Sequence, residues 1–403
     1  MPRALVVALA AAAVPAAGDT PQSVNIPLSV IKLEGIGTKI GIRIGLGGGP
    51  PKLYTFDTGS SGLYAAYNPA WWPKLTLVDN VPIPQSYGSD LTLTANRVST
   101  LLTIPTDNGE LQVTADVGQI TAAGGNQDGE AWMANVAAGI PPLYGTFYGD
   151  FGTGLTKKPN GLFAVLPQLP GNLSSGFAVQ LGCNGGGVGA KVVVGLTNAV
   201  TDRVTSWVPM QSEKNAPPYP QSGRPSYTQA LVAGDYTLVN GTNSYAFSAP
   251  SILDTGGGTA DVHQPHLGFV PDAFLNEKRV LPGTQFSVKA AGTKPGNGWD
   301  MSFVTGTTSG IDLVTVSLAK PPPPPEKAKV EVNLALEPFF RYDVVFDVAN
   351  GQVGFAPCTP GLPPPNVPIP TLSGWGMGAL AVVLAALGAF AASLRPTWLR
   401  RRR

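Results

Sequence analysis

The chain is 403 residues long, enough for one large or two medium domains. It carries 50 Gly and 40 Pro but only 13% charged residues, and short β-prone runs replace long helical periodicity, which points away from helical folds and toward sandwiches or barrels. Six of the 26 basic residues lie in the two ends, leaving a body of 20 basic and 25 acidic residues with a net charge of −5, without the basic footprint of a nucleic-acid binder.

Residues 1–18 of "MPRALVVALAAAAVPAAGDT" combine one positive charge, an alanine-rich apolar core and small residues before Asp19. That pattern predicts a secretory signal peptide cut just before Asp19. The run "VIKLEGIGTKIGIRIGL" then has the pattern of the first mature strands, so no basic inhibitory prosegment is expected. Next comes "YTFDTGSSG" at 54–62, an apolar strand ending in Asp57-Thr58-Gly59, and after it "SYGSDLT" at 86–92. A second strand of the same grammar, "SILDTGGGT" at 251–259, carries Asp254-Thr255-Gly256. The separation of 197 residues fits one copy per lobe, with lobes predicted at 19–175 and 176–358. "KPPPPPEK" at 320–327 reads as an exposed polyproline loop between late strands, and 359–368 as a Pro-rich linker.

The end of the chain has three parts in order. "IPTLSGWG" begins at Ile369, residues 374–394 are uncharged and long enough to cross a bilayer, and four arginines occupy 400–403. This order resembles the IPTL-type C-terminal sorting signal of Gram-negative bacteria. The resemblance implies that 369–403 contain a transmembrane helix and engage envelope sorting machinery. The expected location is therefore the periplasm or cell envelope, with membrane anchoring at least before processing. Two cysteines, Cys183 and Cys358, then read as one disulfide in an oxidising compartment.

Paired Asp-Thr-Gly loops have a chemical reading. Two carboxyl groups held close together share one proton, so one acts as a base while the other acts as an acid. The base can activate water, and its partner can polarise a peptide carbonyl. "FDTGSS", the second "ILDTG", "SYGSDLT" and "YDVVFDVANGQVGFAP" at 342–357 together resemble the pepsin-like aspartic proteases over roughly residues 30 to 358.

That resemblance implies a bilobal all-β fold with a cleft between lobes, and an exported aspartic endopeptidase whose catalytic residues are Asp57 and Asp254. Thr58 and Thr255 would brace the two loops. Gly59 and Gly256 would donate backbone hydrogen bonds to the carboxylates, and Ser60 would bond an outer oxygen of Asp57. Tyr87 and Gly88 would form the flap over an extended peptide or protein substrate. The Cys183–Cys358 disulfide would join the sheet beneath the cleft. No cofactor or metal is implied, and a monomer is expected.

Four positions depart from the family pattern. Gly257 cannot supply the hydroxyl usual after the second Asp-Thr-Gly, leaving Thr259 or a water as the substitute. Tyr64 stands where a tryptophan is common, and Asp90 where the flap tip often has glycine. "NLALEPFFRY" at 333–342 lacks the expected Gly-Asp. Gly257 and Gly258 favour the alternative of a catalytically inactive pepsin-fold protein that binds peptides or glycans at the envelope.

Other signals read as ordinary structure. His263-x-x-His266 lacks a third acidic ligand in register and is read as a surface loop rather than a metal site. "LGGGPP" and "CNGGGVGAK" fit hairpin turns rather than phosphate loops. Trp71-Trp72 reads as cleft lining or core.

Overall fold

The structure is a computed structural model. It describes residues 22–358, apart from 157–160, 184–186, 188, 213–215, 295, 307–312 and 319–328. The predicted signal peptide, polyproline loop, Pro-rich linker and sorting signal with its transmembrane helix lie outside the described residues. Among the described residues no helix is long and apolar enough to cross a membrane.

Alternation of apolar and polar residues sets most elements. In Thr92–Thr106, Leu93, Ala95, Val98, Leu102 and Ile104 are buried while their neighbours reach solvent or the rim. The strand pairs with Gly109–Gly124 through the turn at Asp107-Asn108, where the Thr106 hydroxyl bonds Gly109 O and accepts Asn108 N. Helix is sparse. Its longest piece, Gln127–Ala137, starts where the Asn126 side chain accepts from Gly129 N at 2.9 Å.

The fold is mostly β. A 14-stranded sheet takes strands from both early and late sequence, running from Ser206–Pro209 through Gln352–Pro357, Tyr342–Asp347 and Val24–Leu33 to Thr92–Thr106. A nine-stranded sheet is drawn entirely from the stretch between Val232 and Asn333. One hydrophobic cluster, from Ile26 to Phe355, continues through both, and all described residues belong to one compact unit.

Each Asp-Thr-Gly loop sits in the same strand arrangement. Lys52–Asp57 leads into the first loop and Ser61–Ala66 leaves it. Gly149–Thr153 inserts between them, parallel to the first and antiparallel to the second. In the other copy Asn243–Ile252 leads in and Ala260–Gln264 leads out, with Glu331–Asn333 inserted in the same two senses. A later strand wedged between the arms of an earlier loop leaves the loop backbone projecting from the sheet end, where its side chains can face the other copy.

Cys183 and Cys358 form a disulfide with Cα atoms 5.3 Å apart, as expected from the sequence. It closes a loop of 175 residues, for which chain entropy alone gives about 5 kcal/mol of stabilisation.

Candidate active site

The two loops hold each other through their threonines. Thr58 Oγ1 donates to Leu253 O at 2.6 Å and accepts Thr255 N at 3.0 Å. Thr255 Oγ1 donates to Phe56 O at 2.6 Å and accepts Thr58 N at 3.1 Å. Both threonines are buried, so losing either hydroxyl would leave backbone groups unpaired away from water.

Glycine is required by proximity. A β-carbon on Gly59 would stand 2.4 Å from Asp254 Cγ, and one on Gly256 would stand 2.4 Å from Asp57 Cγ. Each loop thus packs its bare α-carbon against the carboxyl group of the other. Gly59 N and Ser60 N donate to Asp57 Oδ1 at 2.7 and 3.1 Å. Gly256 N and Gly257 N donate to Asp254 Oδ1 at 2.7 and 3.0 Å. The carbonyls are held from the opposite copy: Gln229 Nε2 donates to Gly59 O, and the buried Lys39 ammonium to Gly256 O.

Side chains beyond the loops differ. Ser60 Oγ, expected on an outer oxygen of Asp57, donates to Asp150 Oδ2 at 2.6 Å while its hydroxyl also bears on the Asp57 carboxyl. Asp150 also accepts from the Thr55 hydroxyl and, at 3.1 Å, from Tyr87 OH. It is only 4% exposed. On the second loop, the oxygen that Gly257 leaves uncovered is taken by Asn333, whose Nδ2 donates to Asp254 Oδ2 at 2.7 Å. Asn333, rather than Thr259, therefore supplies the missing donor.

Burial, then the charges of Asp150 and Asp254 and a hydrogen bond with Asp254, push Asp57 well above the usual carboxylate range, against a smaller lowering by the Ser60 hydroxyl. Burial also pushes Asp150 up to about 6, opposed by the hydroxyls of Ser60, Thr55 and Tyr87. Tyr87 is driven upward by burial and by the charges of Asp150 and Asp57, which keeps its hydroxyl a donor.

Tyr87 stands at the tip of the hairpin formed by Ile83–Ser86 and Thr92–Thr106. Asp90 takes the left-handed conformation there, φ +65°, so the turn a glycine would suit is made by one of the residue types that tolerate it. The tip is tied down by Asn126 Nδ2 donating to Ser89 O. Gly88 is exposed and open around its α-carbon. Tyr64 is buried on Ser61–Ala66 with its hydroxyl toward the Leu162 backbone, so the partner of Tyr87 is Asp150.

Of the remaining expectations, Trp72 is core, 1% exposed with Nε1 on Thr100, while Trp71 meets Tyr148 edge-on. His263 is in the strand Ala260–Gln264 rather than a loop, paired opposite Ser317 and Glu331, with its ring 3.1 Å from Asp261 and 3.7 Å from Glu331. Hydrogen bonds to Asp261 and then Glu331 raise it to about 9. Among the described residues no group of three His, Cys, Asp or Glu could hold a metal ion.

Sequence reading misses Asp150, Asn333, Lys39 and Gln229. The one signal for the first two is a shared pattern: "DFG" at 150–152 and "NLA" at 333–335 are both a polar residue, a large apolar one and a small one. No protein-family model matches the chain, and a search of curated proteins found no match.

Proposed function

We propose that this protein is a pepsin-like, bilobal aspartic endopeptidase exported to the cell envelope. What supports the reading is the reciprocal bracing of Thr58 and Thr255, which sets the carboxyl groups of Asp57 and Asp254 against each other. An extended peptide lies across the pair beneath the Tyr87 hairpin, added as a strand. One carboxylate removes a proton from water as its oxygen bonds the scissile carbonyl carbon, while the protonated partner gives its proton to the carbonyl oxygen. The gem-diol then collapses. The C–N bond breaks, the amine nitrogen takes a proton from the carboxyl that received it from water, and the diol proton returns to the other carboxylate. The pair regains its single proton, with no covalent intermediate.

The binding-only alternative drew its support from Gly257 and Gly258. Asn333 supplies the donor that Gly257 lacks, which weakens the part of that support resting on Gly257.

The test is hydrolysis of unfolded protein substrates from pH 3 to 7 by the purified protein, beside Asp57→Asn and Asp254→Asn. Cleavage lost in both variants is expected. No cleavage at any pH, with peptide binding retained, would return the binding-only reading.

A further inference from the structure

Strand register makes Asp150 and Asn333 counterparts. Asp150 is opposite Thr55, two residues before Asp57, and Asn333 is opposite Ile252, two residues before Asp254. The inserted strand of each copy therefore brings one short polar side chain to the loop it supports. The two side chains have the same shape and opposite hydrogen-bonding character. Asp150 accepts three hydroxyl donors, from Ser60, Thr55 and Tyr87. Asn333 accepts Ala335 N on its Oδ1 at 2.8 Å, which fixes the amide so that Nδ2 must face Asp254.

The surroundings of the two reacting carboxyls are accordingly unequal. Ser60 joins Asp57 to Asp150 directly: its N–H goes to Asp57 and its hydroxyl to Asp150, the hydroxyl lowering Asp57 less than Asp150 raises it. Once Asp150 ionises, around pH 6, a second negative charge so close disfavours ionisation of Asp57. Asp254 is instead met by three N–H donors, Gly256 N, Gly257 N and Asn333 Nδ2, a set that suits an anion. Other titratable or charged groups around this region are Tyr87, Tyr64 and Tyr144, together with Lys39, which lies on the Gly256 carbonyl and 5.5 Å from the Tyr144 ring centroid.

We propose that Asp150 and Asn333 are positioning residues that decide which carboxyl carries the proton: Asp57 holds it and is the acid, while Asp254 carries the charge and is the base toward water. The words acid and base rest on the hydrolytic reading; the location of the proton does not. The push that Asp150 exerts on Asp57, second only to burial, is consistent with this assignment.

Carboxyl-carbon NMR titration of the Asp-labelled full chain tests it without requiring catalysis. In the parent protein Asp57 is expected to keep its protonated shift to higher pH than Asp254. Asp150→Asn should lower the Asp57 midpoint by at least one pH unit, a tenfold loss of proton affinity. The exchange Asp150→Asn with Asn333→Asp should move the proton to Asp254. If the exchange does not fold, Asp150→Asn decides alone, with amide spectra checking its fold. An unchanged Asp57 midpoint in folded Asp150→Asn would overturn the assignment, as would Asp254 being the protonated member in the parent. If the midpoint falls but the parent cleaves no substrate, the assignment stands and the hydrolytic reading fails. In an active enzyme the alkaline limb of kcat/KM should follow the midpoint downward; reduced activity with an unmoved limb would mark Asp150 as merely structural.

Discussion

The loop after Lys52–Asp57 and the loop after Asn243–Ile252 share a backbone and differ in what reaches them. In both, an Asp Oδ1 accepts two successive backbone N–H groups, a threonine crosses to the other copy, and a glycine packs against the opposite carboxyl. Around the first stand Ser60 and Asp150; around the second, Gly257 and Asn333. The scaffold of the pair is thus close to two-fold, while its charge environment is not. On the proposed hydrolytic reading, two carboxyls sharing one proton gain from that inequality, because a site with identical halves would not settle which member gives the proton and which takes one.

Gly59→Ala and Gly256→Ala should be the most damaging changes, each forcing a methyl group into the opposite carboxyl. About 3 kcal/mol of destabilisation is expected from either. Thermal melts in which one variant is silent would break the equivalence of the two loops.

The pH dependence of stability should be of similar size. A carboxyl whose folded pKa lies above its unfolded value binds its proton more tightly in the native state. Asp150, raised from 3.8 to about 6, and Asp57, raised in the same direction, therefore favour folding at low pH. The contribution is complete below about pH 4 and is lost as pH rises through 6, for Asp150 about 3 kcal/mol. Melting temperatures at pH 4 and 7.5 should show a fall in the parent and a flatter profile in Asp150→Asn. Equal slopes would separate Asp150 from the effect.

Thr58→Val and Thr255→Val should each cost about 2 kcal/mol, since each strands one buried donor and one buried acceptor. The double variant should cost less than the sum, because the two residues form one network. Simple additivity in urea unfolding would contradict that network.

The smallest effect separates the inserted strands. In the register of the two copies Gly152 matches Ala335, and Ala335 is held at φ +48° while 1% exposed. Ala335→Gly should relieve that conformation and stabilise the protein by about 0.5–1 kcal/mol. A destabilised variant would mean that the Ala335 methyl, 3.1 Å from where a Gly257 β-carbon would stand, contributes more packing than strain.

The near neighbours of the site were legible in the sequence. Asp57, Thr58, Gly59 and their partners at 254–256 announce themselves because backbone-to-carboxylate bonds in a tight turn require those residue types within three positions. The tip at Tyr87 was legible only through the resemblance of "SYGSDLT" to the family's flap. Ser60 was only half legible: its backbone bond is local, but its hydroxyl goes to a residue 90 positions away. Asp150 and Asn333 were hidden because their one shared pattern, a polar, a large apolar and a small residue, gives no sign of which loop each will face. His263 read as loop for the mirror-image reason, since its partner Glu331 arrives on a strand 68 residues later.

By itself the sequence determined a mostly β chain, two acidic loops of matching grammar and one possible disulfide, because these depend on local periodicity, turn chemistry and a count of two cysteines. Only the tertiary structure decided that a third strand wedges into each loop, that Asp150 lies on one side and Asn333 on the other, and that Ser60 turns toward the first. Those contacts join segments tens of residues apart through strand insertion, and register between distant strands is set by the packing of the whole core rather than by any short stretch of chain.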